Sequence, residues 1–113
     1  MALAESATRA APFDPRKAIE SIPRAYNFAA DVLERNLAAG RASKPAFIDP
    51  RGAWTYAALA ERAARFGDVL RSLGVRREER ILLALLDTID WPTAFLGAIK
   101  AGVIPIPVNT IMS

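Results

Sequence analysis

Ile81 to Leu86 are six apolar residues in a row, and this run constrains the fold more than any other part of the chain. A strand wet on one face alternates apolar and polar side chains, whereas an unbroken apolar strand suits a parallel sheet covered on both faces. Gly102 and then Val103 to Val108 follow after a stretch with helical spacing. Strand, helix and strand in so few residues predict a βαβ unit with strands at about 81–86 and 103–108 and a right-handed crossover. The expected class is α/β. Three or four strands with two or three helices scarcely cover such a sheet on both faces, so the chain reads as an incomplete layer that needs neighbours.

The rest of the chain supplies flanking elements. Residues 1–24 carry alanine, charge and the prolines Pro12, Pro15 and Pro23, and read as an extended arm with room for a helical turn around Lys17 to Ser21. Residues 25–113 form the α/β portion. Tyr26 to Gly40 is expected to be helical, capped by Asn27 and stopped by Gly40, with Phe28, Val32, Leu33 and Leu37 on one face. Pro45 to Ile48 and Ala53 to Thr55 flank Asp49-Pro50-Arg51-Gly52 and predict a hairpin. Thr55 then caps a helix from Tyr56 to about Leu73, stopped by Gly74, with Leu59, Ala63, Phe66, Leu70 and Leu73 as its apolar stripe. Glu61 and Arg65 pair on its wet side.

Asp87 and Asp90 are the expected capping residues of the helix that runs to Ala101. Ala94, Gly97, Ala98 and Ala101 thin one side of it, which suits close packing on a sheet. In the last strand, Pro105 and Pro107 both delete N–H donors from one edge, leaving Ile104, Ile106 and Val108 to donate on the other. That strand can be fully bonded to one neighbour.

Composition removes several kinds of chemistry. The chain has neither cysteine nor histidine, so its residues form no disulfide, no thiolate or imidazole metal site, and no Ser-His or Cys-His nucleophile. The charge of +3 is mild and its cations are mixed with acids, as in Arg76-Arg77-Glu78-Glu79-Arg80, so no nucleic-acid partner is expected. The most apolar stretch is broken by Pro92, Gly102, Pro105, Pro107 and Lys100, which argues against a membrane span. No secretory leader is visible, and a cytoplasmic location is expected.

The order of the motifs has a family likeness. Ala53-Trp54-Thr55-Tyr56 with Leu59 opens a helix ending in Leu73-Gly74-Val75. A hydrophobic strand, Phe95 to Val103 and Ile104-Pro105-Ile106-Pro107-Val108-Asn109-Thr110 follow. From about Tyr26 to Met112 this resembles the beginning of the acyl-adenylate-forming enzymes, the superfamily of acyl-CoA synthetases. Leu85 to Pro92 and Val108-Asn109-Thr110 look most like benzoate-CoA and 4-hydroxybenzoate-CoA ligases. One departure is Glu79-Arg80, where many relatives carry Gly-Asp.

The resemblance implies ATP, magnesium and coenzyme A as the cofactors of a full-length enzyme that activates an aromatic carboxylate as its adenylate and passes it to a thiol. It equally implies that the Gly-rich phosphate loop, the ribose-binding Asp and the catalytic Lys lie further along a much longer chain. No catalytic, cofactor-binding or metal residue is therefore assigned here, and none of these cofactors is expected to bind this segment alone. Asp87 reads as a cap and Lys100 as a cation satisfying a helix C-terminus. Trp54, Tyr56, Trp91 and Phe95 read as packing anchors in preference to a ring pocket. The expected partner is the remainder of the ligase chain or a self-associating copy. A free-standing assembly module and a fragment of an aliphatic acyl-CoA synthetase are the alternatives.

Overall fold

The computed structural model describes residues 11–110. The first ten residues of the arm and Ile111 to Ser113 lie outside them. In order, the elements are α1 (Pro15–Glu20), α2 (Phe28–Ala38), β1 (Pro45–Asp49), β2 (Gly52–Thr55), α3 (Tyr56–Ser72), β3 (Arg80–Leu83), α4 (Asp90–Lys100) and β4 (Ile104–Pro107).

Local chemistry accounts for most of the boundaries. The Asn27 side chain accepts from Ala30 N–H at 3.0 Å and Thr55 from Ala58 N–H at 3.1 Å, satisfying first-turn donors of α2 and α3. Three helices stop in the same way. Gly40, Gly74 and Gly102 have φ of 83°, 82° and 80°. The residue after each donates back to the carbonyl five positions earlier: Arg41 to Asn36, Val75 to Leu70, and Val103 to Ala98. This left-handed glycine closure satisfies carbonyls that the helix leaves open. In the arm, Asp14 caps α1 and Pro15 opens it, and none of its residues is buried.

Two small sheets form. β1 and β2 make the antiparallel hairpin, with Phe47 opposite Trp54 and Asp49 opposite Gly52. β3 and β4 run parallel, pairing Ile81 with Pro105 and Leu82 with Ile106, which establishes the βαβ unit. Both strands are shorter than expected. β3 ends at Leu83 because Val108 N–H makes the last bond to it, at 3.0 Å, and Thr88 N–H then turns back onto Leu86. β4 starts at Ile104 because Val103 N–H is spent on closing α4.

Coverage of this sheet is one-sided among the described residues. Leu83 is buried, Ile81 is half-buried and packs against the cluster of Leu70, Ala98 and Val103, and Leu82 is 68% exposed and Leu86 69% exposed. The expected burial on both faces is thus met on one.

The thin side of α4 meets a helix where a sheet was expected. α3 and α4 share the most extensive contact of the fold, and a Cβ on Gly97 would stand 2.7 Å from the Ala63 carbonyl of α3. Side chains with ordinary bulk cannot occupy that crossing. Two members of the expected stripes also fall outside the core. Leu73 caps α3 and is 73% exposed. Phe28 is half exposed while Ala29 beside it is fully buried. Asn27 Nδ2 donates to Ile99 O at 2.8 Å, which ties the start of α2 to α4.

The turn before β3 contains Glu78 at φ 68°, the one non-glycine residue with positive φ among the described residues. Such a conformation costs a side-chain-bearing residue about 1–2 kcal/mol. Glu78 N–H donates to Gly102 O at 2.8 Å, and the Glu79 carboxylate accepts from Arg76 N–H at 2.6 Å, which hold the turn in place. The departure expected at Glu79-Arg80 therefore adjoins the unusual backbone, which lies one residue earlier.

Candidate functional site

Ligands of open α/β sheets bind beyond the carboxyl ends of the strands. In this chain those ends lead into residues 84–89 and 108–110. Asp87 lies there, exposed, and does not cap α4, which has no side-chain cap from its own N-cap residue Ile89. The cap comes from elsewhere. Asp49, in the hairpin turn, accepts Ile89 N–H on Oδ2 at 2.9 Å, and Thr88 Oγ1 accepts Asp90 N–H at 3.3 Å. Neither of the two acids expected to cap is the one that does.

Around that junction is the most connected set of polar side chains among the described residues. The other oxygen of Asp49 accepts Arg51 N–H at 2.8 Å and Trp54 Nε1–H at 3.3 Å. Asp90 pairs with Arg62 at 2.8 Å and lies 3.9 Å from Arg51. Arg62 Nε also donates to Thr93 Oγ1 at 3.0 Å, and its guanidinium sits 5.0 Å from the Trp54 ring centre. Thr93 in turn donates to Ile89 O at 2.7 Å. The network ties hairpin, α3 and α4 together. Its chemistry is that of a clamp, since each carboxylate is already engaged by N–H donors.

The Ile89 amide, ahead of the Trp54 and backbone donors, holds the Asp49 carboxyl below the usual aspartate range. A lowered folded pKa contributes stability that is complete above the unfolded carboxylate pKa and is lost as pH falls through the folded value. Asp49→Asn is expected to flatten the acid limb of the stability profile and to speed hydrogen exchange at Ile89 severalfold at neutral pH. Exchange rates followed from pH 7 downward test this, and an unchanged Ile89 rate would exclude the clamp role.

The four aromatics are dispersed. Trp54 packs in the cluster of Leu33, Leu59, Ala63 and Ile89. Trp91 stacks on Phe95 with ring centres 4.9 Å apart, one turn along α4. None of the four lines any of the three described cavities. The largest of these, an open cleft of about 850 Å³, includes Tyr26, Arg77, Glu78, Lys100 and Gly102. It lies at the amino ends of β3 and β4, opposite to where a nucleotide would be sought. Lys100 is in the last turn of α4, where its charge suits the helix dipole. No group of three or more acidic residues among the described residues is arranged to hold a metal ion. No helix there is long and apolar enough to cross a membrane.

The geometry defines a class first: an α/β segment with a helix-covered parallel pair, a hairpin clamp and an unfinished sheet. Comparison with known proteins gives the family. AMP-binding enzymes match residues 33–113, and the chain belongs to that family. It is 50% identical over 93 residues to benzoate–CoA ligase of Thauera aromatica, covering 81% of this chain and 18% of that enzyme. Against 4-hydroxybenzoate–CoA/benzoate–CoA ligase of Rhodopseudomonas palustris it is 49% identical over 87 residues, 77% of this chain and 16% of the relative.

Among solved structures, a benzoate CoA ligase from Burkholderia xenovorans LB400 superposes with a TM-score of 0.73 at 52% identity, covering 78% of this chain and 18% of that one. An anthranilate CoA ligase in complex with anthranoyl-AMP gives 0.75 at 39% identity, covering 82% and 18%. The chain thus spans less than a fifth of the length of each relative. The likeness to adenylate-forming enzymes read from the motif order is confirmed, and the similar proteins named here are aryl-CoA ligases.

Proposed function

We propose that this chain serves as the N-terminal structural segment of an ATP-dependent aryl-CoA ligase acting on benzoate-type acids in the cytoplasm. Residues 1–24 would be its arm and 25–113 the first part of the AMP-binding domain. The observation that carries this reading is the 50% identity to a benzoate–CoA ligase across 93 residues, against 30% for a long-chain fatty acid ligase of Escherichia coli. That difference favours an aromatic over an aliphatic acid.

The whole reaction would consume ATP with magnesium and coenzyme A. The described residues do not fit those groups: the clamp acids are engaged, no acidic set is gathered, and no Gly-rich phosphate loop occurs in the sequence. No step is therefore assigned to this chain's own side chains. What they supply is a rigid wall: α3 and α4 brace one face of the sheet, and the Asp49–Arg62–Asp90 clamp sets the angle of the hairpin.

The test is pyrophosphate exchange. The 113-residue chain alone is expected to give no benzoate-dependent exchange between ATP and pyrophosphate. Combined with the complementary part of a benzoate–CoA ligase, it is expected to restore benzoate-dependent exchange and thioester formation. Turnover by the chain alone would place the site within it, and a failure to complement would remove the proposed role.

A further inference from the structure

Residues 84–89 link the carboxyl end of β3 to α4, on the side where ligands of such sheets bind. The loop is anchored at both ends. Leu83 is buried and its carbonyl accepts Val108 N–H at 3.0 Å, while Ile89 is fully buried in the cluster of Leu33, Leu59 and Ala63. Between these anchors the crest is open. Ala84, Leu86 and Asp87 are exposed, and the Asp87 side chain has no partner among the described residues. The capping role that its place in the sequence suggests is filled by Asp49, which leaves Asp87 projecting at the strand end.

The second anchor depends on a residue forty positions away. Asp49 divides its two oxygens: Oδ1 accepts Arg51 N–H and Trp54 Nε1–H within the hairpin, and Oδ2 accepts Ile89 N–H at 2.9 Å. Ile89 N–H precedes the first turn of α4, so the helix itself offers it no carbonyl. An unpaired N–H on a fully buried residue is costly, so the Asp49 carboxylate is what makes this seat for Ile89 tolerable. The hairpin end of the link is braced in turn, since Arg62 lies 5.0 Å from the Trp54 ring centre and pairs with Asp90 at 2.8 Å. Asp87 is two residues from Ile89, within about 7 Å along the chain. A shift at Ile89 is therefore passed to the crest.

We infer that Asp49 is a positioning residue of the ligase: by holding Ile89 it sets the height and direction of loop 84–89, whose crest contacts a bound substrate. This rests on the function proposed above. In that reading the loop takes part in no bond-making step, so its contacts are made equally to the bound substrate and to the transition state. Loss of such contacts raises KM and leaves kcat alone. An Asp49 that merely stabilised the fold would do the reverse, lowering the amount of folded enzyme, and with it the apparent kcat, at unchanged KM.

The experiment uses a full-length chimera in which the 93 matched residues of this chain replace their counterparts in the Thauera aromatica benzoate–CoA ligase. Steady-state kcat and KM for benzoate, ATP and coenzyme A are compared for the wild type, Asp49→Asn and Thr55→Ala. Asp49→Asn keeps the size and one acceptor for the hairpin donors, and turns its amide toward Ile89 N–H. Thr55→Ala removes the cap of α3, a structural loss at the end of the same hairpin that does not touch the loop. For Asp49→Asn the expected result is a KM raised about threefold or more for at least one substrate, with kcat within about twofold. For Thr55→Ala it is a lower melting temperature with every KM unchanged. In the wild-type chimera, amide exchange of the peptide spanning residues 84–89 is expected to slow about threefold or more when one of the three substrates is saturating. Unchanged KM for all three in Asp49→Asn, or the same rise in Thr55→Ala, overturns the positioning role and leaves the functional reading standing. A wild-type chimera without benzoate-dependent turnover removes both. The exchange measurement needs no variant and decides the matter where Asp49→Asn fails to fold: no slowing with any of the three substrates overturns the role.

Discussion

Gly97→Val is expected to separate α3 from α4 and to cost the segment more than any other single substitution on its covered side. A Cβ at residue 97 would lie 2.7 Å from the Ala63 carbonyl and 3.0 Å from Phe66 Cβ. The first of these is backbone in the middle of α3, so no side-chain rotation relieves it and the helices themselves must part. Overpacking of this kind costs roughly 1–3 kcal/mol. Valine, with two further methyls, belongs at or above the top of that range, and the whole stability of a domain is only about 5–15 kcal/mol.

Gly67 is the internal comparison. Its Cβ would meet Gly97 O at 3.3 Å and Ala101 Cβ at 3.4 Å, much gentler contacts. Gly67→Ala also gains helix propensity of about 1 kcal/mol, so it is expected to be near neutral. Hydrogen exchange at the core amides of Leu70 and Ala98 reads local opening even in an associated sample. Loss of their protection in Gly97→Val, with protection kept in Gly67→Ala, is the expected pattern. Equal protection in both variants would show that the crossing is looser than its geometry indicates.

What the sequence made legible follows from distance along the chain. Asn27 and Thr55 cap helices that begin beside them, and Gly40, Gly74 and Gly102 stop helices that end beside them. Each needs only a few neighbouring residues to be read. Pro105 and Pro107 are legible for the same reason, because strand alternation is local, and Ile104 and Val108 do donate to the β3 side. Capping of α4 was misread since its donor Ile89 is met by Asp49, forty residues earlier. Nothing near Asp87 or Asp90 signals that a hairpin turn will fold back onto the helix. The thin face of α4 was visible in Ala94, Gly97, Ala98 and Ala101, yet a small-residue face fits a helix as well as a sheet. Ala29 is buried in place of Phe28 beside a long-range bond from Asn27 to Ile99 that no local signal announces. For the candidate site the sequence supports an expectation only: without histidine, cysteine or a phosphate loop, the catalytic groups are expected outside this segment.

That architecture makes a second large effect expected, on the bare face of the sheet. Leu82, Ile104 and Ile106 share it by register, and Val108 extends it, with exposures of 68%, 44%, 41% and 38%. Fully burying a large apolar side chain is worth about 1.5–3 kcal/mol. Four such residues on one flat surface therefore offer several kcal/mol to whatever covers them, and such patches drive association. Made alone, the chain is expected to self-associate at tens of micromolar and to melt without a sharp transition. Leu82→Lys with Ile106→Glu places opposite charges at directly paired positions, where they attract each other and face water. The double variant is expected to sediment as a monomer with its helices intact, because α3 and α4 pack on the opposite face. It should at the same time fail to assemble with the complementary part of a ligase, since two charges would then be buried against an apolar layer. Sedimentation velocity and far-ultraviolet dichroism of the two proteins decide the matter. A wild-type chain that runs as a monodisperse monomer with a cooperative melt would mean that the outer face is content in water, and that this wall needs nothing to lean against it.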